Sequence, residues 1–356
     1  MVENRFPASG LSAEYGDIVI DSVTETSVVV EIRYQDTLIL SEVYTPDADS
    51  KIYIRELGDL AVLLIEKADL MTENGYTGYG SILLNVKIIG TTTIQKDVTI
   101  YQSIVDFSGS LDVTLLKQIP LSRATNKSTG IGRTEWISFY GTGTLKAYVV
   151  KKGITNDSAA TYDIVTYSLP EKIYNTNVSP SVIATLASCP EADLIYYNIY
   201  ISTDSIIRFT MDDRDYPNKK TFIFRNCFGA QEIFTCTGDE KSERKWTRSF
   251  GNINNKQVSI SRDLVNKFTA NTGYLSAEDL EVLEDMLNSD QICLLDEYGL
   301  QDVVILEENF NDTSRKDELK AVEFSYRFSQ NNQFKTSYKA FKKPRVFTTE
   351  FDETFN

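Results

Sequence analysis

The chain has 356 residues, of which 51 are acidic and 36 basic, giving a formal charge of −15, and it contains no histidine. Imidazole is the side chain that titrates near neutral pH unaided, so its absence excludes Ser-His-Asp and Cys-His nucleophiles, histidine general bases and most catalytic zinc sites. More than half of the acidic excess lies in residues 1–103, a surface that repels phosphate backbones, and no nucleic acid is expected as a partner.

From Ile18 to Ser103, β-branched and aromatic runs alternate with turn residues: Val28 to Tyr34, Leu38 to Leu40, Ile82 to Ile89 and Val98 to Tyr101. Their spacing predicts an N-terminal sandwich of the fibronectin or immunoglobulin kind over 1–103. Leu57, Leu60 and Leu64 share one helical face, which predicts a short helical turn. The stretch from Gly75 to Gly80 reads as a flexible loop, because no strand-to-helix junction accompanies it. The opening MVENRFPASG lacks the apolar core of a secretory signal, and no run of eighteen apolar residues occurs. The expectation is a chain made and kept in the cytoplasm, without a membrane span.

A second β domain is predicted over 104–216. Trp136 to Tyr140 and Leu145 to Val150 read as a hairpin joined by Gly141-Thr142-Gly143, followed by strands at Tyr162 to Tyr167, Val182 to Leu186, Leu194 to Ile201 and Ile206 to Thr210. Trp136 has two readings, a sugar-stacking platform or a core residue. The carboxylate-rich run from Asp212 to Asp215 lacks the ligand spacing of a calcium loop and reads as a solvated interdomain turn.

The third unit, 217–356, is predicted to be an α+β domain with a mobile polar tail. Strands from Phe222 and Glu232 lead through the charged segment Asp239 to Arg248 to a strand at Val258. At Ser276 the period changes. Ser276 with Asp279 forms a helix start, and Leu280, Leu283 and Leu287 fall on one face of an amphipathic helix over about 277–288. The acidic residues from Glu278 to Asp285 are assigned to its solvent face. A hairpin follows, Ile292 to Leu295 and Val303 to Leu306, turning at Gly299. Val322, Phe324, Tyr326 and Phe328 then alternate with Glu323, Ser325 and Arg327, as in a strand with one buried face.

The fold class is therefore mainly β, a multi-domain β-sandwich architecture with one helix packed on a hairpin. The cysteines, Cys189, Cys227, Cys236 and Cys293, read as thiols, with a Cys227–Cys236 pair as the alternative. Lys335, Lys339, Lys342, Lys343 and Arg345, interleaved with Phe334, Tyr338 and Phe341, read as an edge strand protected by lysines or as a charged contact with an acidic neighbouring subunit, with a short nucleic-acid strip as the alternative. Carboxylates are abundant, but nothing in the sequence brings two of them together as a glycosidase needs. No catalytic, cofactor-binding or metal-binding residue is assigned, and the expectation is a protein that is not an enzyme.

The third unit, with FRNCFGAQEIFTCTG, TGYLSAEDLEVLEDMLNSDQICLLDEYGLQDVVILEE and KAVEFSYRFSQNNQ, resembles the C-terminal part of virion structural proteins of tailed bacteriophages and prophages of Bacteroidetes, of the tail or baseplate type. The shared features are an Asn and Phe-Gly in a strand–turn–strand, a Thr-Gly before a short helix, a hairpin and a Phe/Tyr-rich strand closing on Asn residues. The resemblance covers 221–333. It implies a homo-oligomeric part of a symmetric virion, assembled in the host cytoplasm with other virion proteins, needing no cofactor. The alternative from another class is a carbohydrate-binding or adhesin-like multi-sandwich protein. A tail-tip part contacting a host surface glycan through Trp136 would join the two readings.

Overall fold

The structure is a computed structural model that describes residues 1–65, 70–103, 116–153, 156–202, 205–253, 256–297, 299–309 and 320–329. Among these the chain is mainly β and of the multi-domain β-sandwich class, its strands forming four sheets.

The first unit is a two-sheet sandwich. Val2–Arg5, Ile18–Asp21 and Ile52–Ile54 form one sheet; the other has the order Ser9–Leu11, Thr93–Tyr101, Ser81–Ile89, Val28–Tyr34, Thr37–Tyr44. Alternation decides the faces. In Ser81–Ile89, Ile82, Leu84, Val86 and Ile88 point into the core while Leu83 is exposed. Each fully buried aliphatic side chain of this kind contributes roughly 1.5–3 kcal/mol. The helix Leu57–Leu64 closes one end, with Leu57 and Ala61 in the same core.

One strand leaves this unit. Gly75–Tyr79, expected as a loop, pairs antiparallel with residues 172–175 and forms the edge of the central sheet. The ring of Tyr76 lies edge-on to Tyr79 and Tyr174 and carries the Lys172 ammonium over its face. Those tertiary contacts override the low strand propensity of the glycines. The division at residue 103 is thus crossed by a strand.

The central sheet has the order Asn126–Gly130, Ile206–Asp212, Leu194–Tyr200, Trp136–Lys151, Ser158–Asn177, Gly75–Tyr79. The hairpin expected at Gly141-Thr142-Gly143 is absent, because Trp136–Lys151 is one continuous strand paired along its length with Ser158–Asn177. The register instead jumps from Tyr140↔Ile173 to Gly141↔Leu169, an irregularity that bends the pair. Gly141 is needed for packing and not for turning, since a Cβ there would lie 2.4 Å from the Tyr174 ring, which stacks on Tyr167. The strand expected at Val182 to Leu186 is a helix, Pro180–Leu186. Pro180 at its first position presets the backbone for a helix, a local signal that outweighs the β-branched Val182 and Ile183. The Leu194–Tyr200 and Ile206–Asp212 strands pair antiparallel as expected.

The third sheet has the order Gln231–Cys236, Lys220–Arg225, Ile292–Asp296, Gly299–Asn309, Lys320–Phe328, Lys256–Leu275, Glu240–Ile253. The helix Ala277–Leu287 starts with a complete capping box: Ser276 Oγ accepts from the Asp279 N–H, and Asp279 accepts from the Ser276 N–H. Val282, Leu283 and Met286 are buried in a cluster that also holds Ile292, Leu294 and Val303 of the hairpin. Gly299 turns that hairpin at φ +102°. Asp285 departs from the expectation of a solvent-facing acidic row: it is 8% exposed. All four cysteines are thiols, and the Cys227–Cys236 bond does not form. No helix among the described residues is long and apolar enough to cross a membrane.

Candidate functional site

Two features stand apart from ordinary sandwich packing: a polar junction where the three units meet, and a two-stranded ribbon that leaves the third sheet. The junction begins with strand alternation. On Lys220–Arg225, Phe222 and Phe224 face the helix, while Ile223 faces the opposite way, into a cluster with Leu70, Trp136, Ile233 and Cys293. Leu70 comes from the first unit, Trp136 from the second and the others from the third. Trp136, the residue singled out as a glycan platform, is 3% exposed and presents no stacking face to solvent. Its neighbour in the strand, Ser138, donates to the Gln231 carbonyl at 2.8 Å, and the Gln231 side chain exchanges two 2.8 Å hydrogen bonds with the Met71 backbone. One glutamine therefore ties together all three units.

Beside it lies a buried ion pair. Lys127 Nζ, from the edge strand of the central sheet, reaches Glu232 Oε1 at 2.9 Å, with side chains 7% and 3% exposed. Glu232 also accepts from Ser122 Oγ at 2.5 Å and Asn226 Nδ2 at 2.8 Å. Asn226 donates further to the Leu121 carbonyl, and its Oδ1 accepts from the N–H groups of Phe228 and Ala230, holding the Asn-Cys-Phe-Gly turn. Desolvation opposes the charge on Lys127, but Glu232 and then Glu135 outweigh it and hold the ammonium pKa above its ordinary value. Asp285 closes the arrangement from the helix, pairing with Arg123 at 3.3 Å and accepting from the Cys227 N–H. Burial raises its carboxyl against the pull of those partners.

Lys127 also borders a cleft of about 560 Å³ between the central and third sheets, lined by Arg133, Glu135, Asp212, Asp279 and Glu323 among others. Glu135 is 4% exposed, and burial pushes its carboxyl up to about 7 against the pull of Lys127 and Arg133. It is a group that changes charge near neutrality in a chain without histidine. Asp212 goes the other way. Burial works to raise it, but hydrogen bonds from the side chain and backbone of Arg214 and from Tyr216 hold it at about 2. The acidic run thus folds on itself as a local clamp. No group of three or more acidic or thiol side chains among the described residues is placed to hold a metal.

The ribbon is built from Glu240–Ile253 and Lys256–Leu275, which pair from Glu240↔Ala270 to Ile253↔Lys256. Among the described strands, Phe268–Leu275 alone of the ribbon has a second neighbour, the strand Lys320–Phe328. Beyond Phe268 each ribbon strand pairs with the other alone among the described strands. At about 3.3 Å per residue, the stretch 243–253 reaches roughly 35 Å from the sheet. Phe250, out on this stretch, is 56% exposed. Its base is fixed by ion pairs, Lys241 with Glu323 and Lys267 with Glu307.

Of the residues picked out in the sequence, Lys335, Lys339, Lys342, Lys343 and Arg345 lie outside the described residues. The junction residues Lys127, Glu135, Glu232 and Asp285 escape sequence reading because each looks like one more surface charge. Asn226 alone stood in a marked position, inside the Asn and Phe-Gly feature. No protein-family model and no curated protein matches the chain.

Proposed function

We propose that the chain is a non-enzymatic structural component of a tailed-phage virion, from the tail, tail-tip or baseplate region, acting through protein–protein contacts in a symmetric assembly. The observation that carries this reading is the ribbon. An isolated two-stranded hairpin is at best marginally stable in water, so one of this length calls for a neighbour to cover it. The junction supports the same reading from the other side. Three units held by a buried ion pair, the Gln231 hydrogen bonds and a shared apolar cluster make a block from which such an arm can project. The virion assignment itself rests on the resemblance over 221–333. The adhesin-like alternative loses its candidate platform, since Trp136 is buried.

The test is the mass of the purified chain by light scattering across a concentration series, with negative-stain images of the same samples. Discrete rings or extended stacks of copies are the expected result. A monomer at every concentration that instead binds immobilised glycans would replace this reading with the adhesin one.

A further inference from the structure

Charge along the chain is distributed in a way that selects a partner for the ribbon. Between residues 244 and 262 the sequence carries five basic side chains and no acidic one, in a protein whose formal charge is −15. The complement is present at the far end of the chain. Residues 35–50 carry four acidic side chains, Asp36, Glu42, Asp47 and Asp49, and no basic one. The strand in that stretch, Thr37–Tyr44, is the outer strand of the five-stranded sheet and pairs only with Val28–Tyr34 among the described strands. Its Leu38 and Val43 are 46% and 69% exposed. The strand carries neither proline nor lysine, and its register shift lies near its start, where Ile32↔Leu40 is followed by Arg33↔Leu38; from Leu40 to Tyr44 the pairing is regular, a template for another strand.

Resting on the assembly reading above, we infer that the ribbon of one copy docks on the Thr37–Tyr44 edge of a second copy. The strand Glu240–Ile253 extends the neighbour's sheet by backbone hydrogen bonds, and opposite charges set partner and register. Two different surfaces meet in such a contact, so it propagates head to tail and closes into a ring or continues as a stack. The lysine-rich segment 335–345 is an unfavourable cover for the ribbon, because it repeats the ribbon's own sign of charge. Nucleic acid is the other chemistry that a basic arm attracts, and it enters as an outcome of the test.

Complementary charge reversal decides the matter. One variant carries Arg244→Glu and Arg248→Glu on the ribbon; the other carries Asp36→Lys and Glu42→Lys at the edge. All four positions are strand or turn residues, Asp36, Glu42 and Arg244 being exposed, and unchanged thermal unfolding verifies that both variants fold. The unaltered chain should associate, more weakly at high salt, and each variant alone should associate at least tenfold more weakly. Mixing the two should restore association, because the reversed ribbon now matches the reversed edge. If the unaltered chain associates but the mixture does not recover, the ribbon–edge contact is wrong while the assembly reading stands. If the unaltered chain never associates with itself, both fail. Retention of an unrelated duplex DNA by the unaltered chain, lost in the ribbon variant and without self-association, would likewise overturn the contact in favour of a nucleic-acid arm.

Discussion

The junction and the ribbon answer the same physical problem in opposite ways. At the junction, strong polar groups are taken out of water, and the chain supplies every partner shown for Glu232: Lys127, Ser122 and Asn226. In the ribbon, backbone is extended into solvent with a surplus of one charge and no described strand beside it. Internal cohesion and outward contact are carried by separate parts of the sequence. They can therefore be broken separately.

The largest effect should come from the ion pair. Glu232→Ala leaves Lys127 buried without its counter-charge and should cost about 3–5 kcal/mol in denaturant unfolding. The double variant Lys127→Met with Glu232→Leu should recover most of that loss, since an apolar pair of similar volume carries no desolvation penalty. Trp136→Ala, which empties the three-way cluster, should also cost about 3–5 kcal/mol. It should leave self-association per folded molecule unchanged.

Glu135 makes the stability of the junction depend on pH. Its carboxyl holds a proton up to about 7 in the fold against an ordinary 4.5. Folding therefore takes up a proton in that interval, and stability falls as pH rises from about 4.5 through 7. Glu135→Gln should flatten that slope and stabilise the chain at pH 8 by about 1–3 kcal/mol, read from melts over a pH series. Ser276→Ala removes one half of the capping box and should cost about 1 kcal/mol. Smallest of all, shortening the ribbon to an Asn-Gly turn between Lys245 and Val265 should change unfolding least, because the removed strands pair with each other alone among the described strands. That last variant should nevertheless lose self-association. A large loss of stability on ribbon removal would mean that the ribbon belongs to the fold and not to a neighbour.

What could be read from the sequence was local. Ser276 and Asp279 sit three residues apart and report their own cap. The alternation from Val322 to Phe328 reports its own buried face. The hairpin turning at Gly299 follows from one glycine between two apolar runs. What could not be read depends on distant partners. Gly75–Tyr79 looks like a loop until Tyr174 and Lys172 are beside it. Gly141 looks like a turn until the ring of Tyr174 needs its space. Asp285 belongs to the acidic row of its helix, and only Arg123 and the Cys227 N–H, far away in sequence, draw it inward. The ribbon was visible only as a charged segment followed by a strand, because nothing local says whether paired strands stay with their sheet or leave it.

Hydrogen exchange at two concentrations tests the division between cohesion and contact most directly. In dilute samples, amides of 243–267 should exchange fast while those of Asn126–Gly130 and Gln231–Cys236 stay protected. On concentration, the ribbon and Thr37–Tyr44 should become protected together, and the junction should not change. Ribbon amides as protected as the junction in dilute samples would contradict the account, since the chain would then cover its own arm.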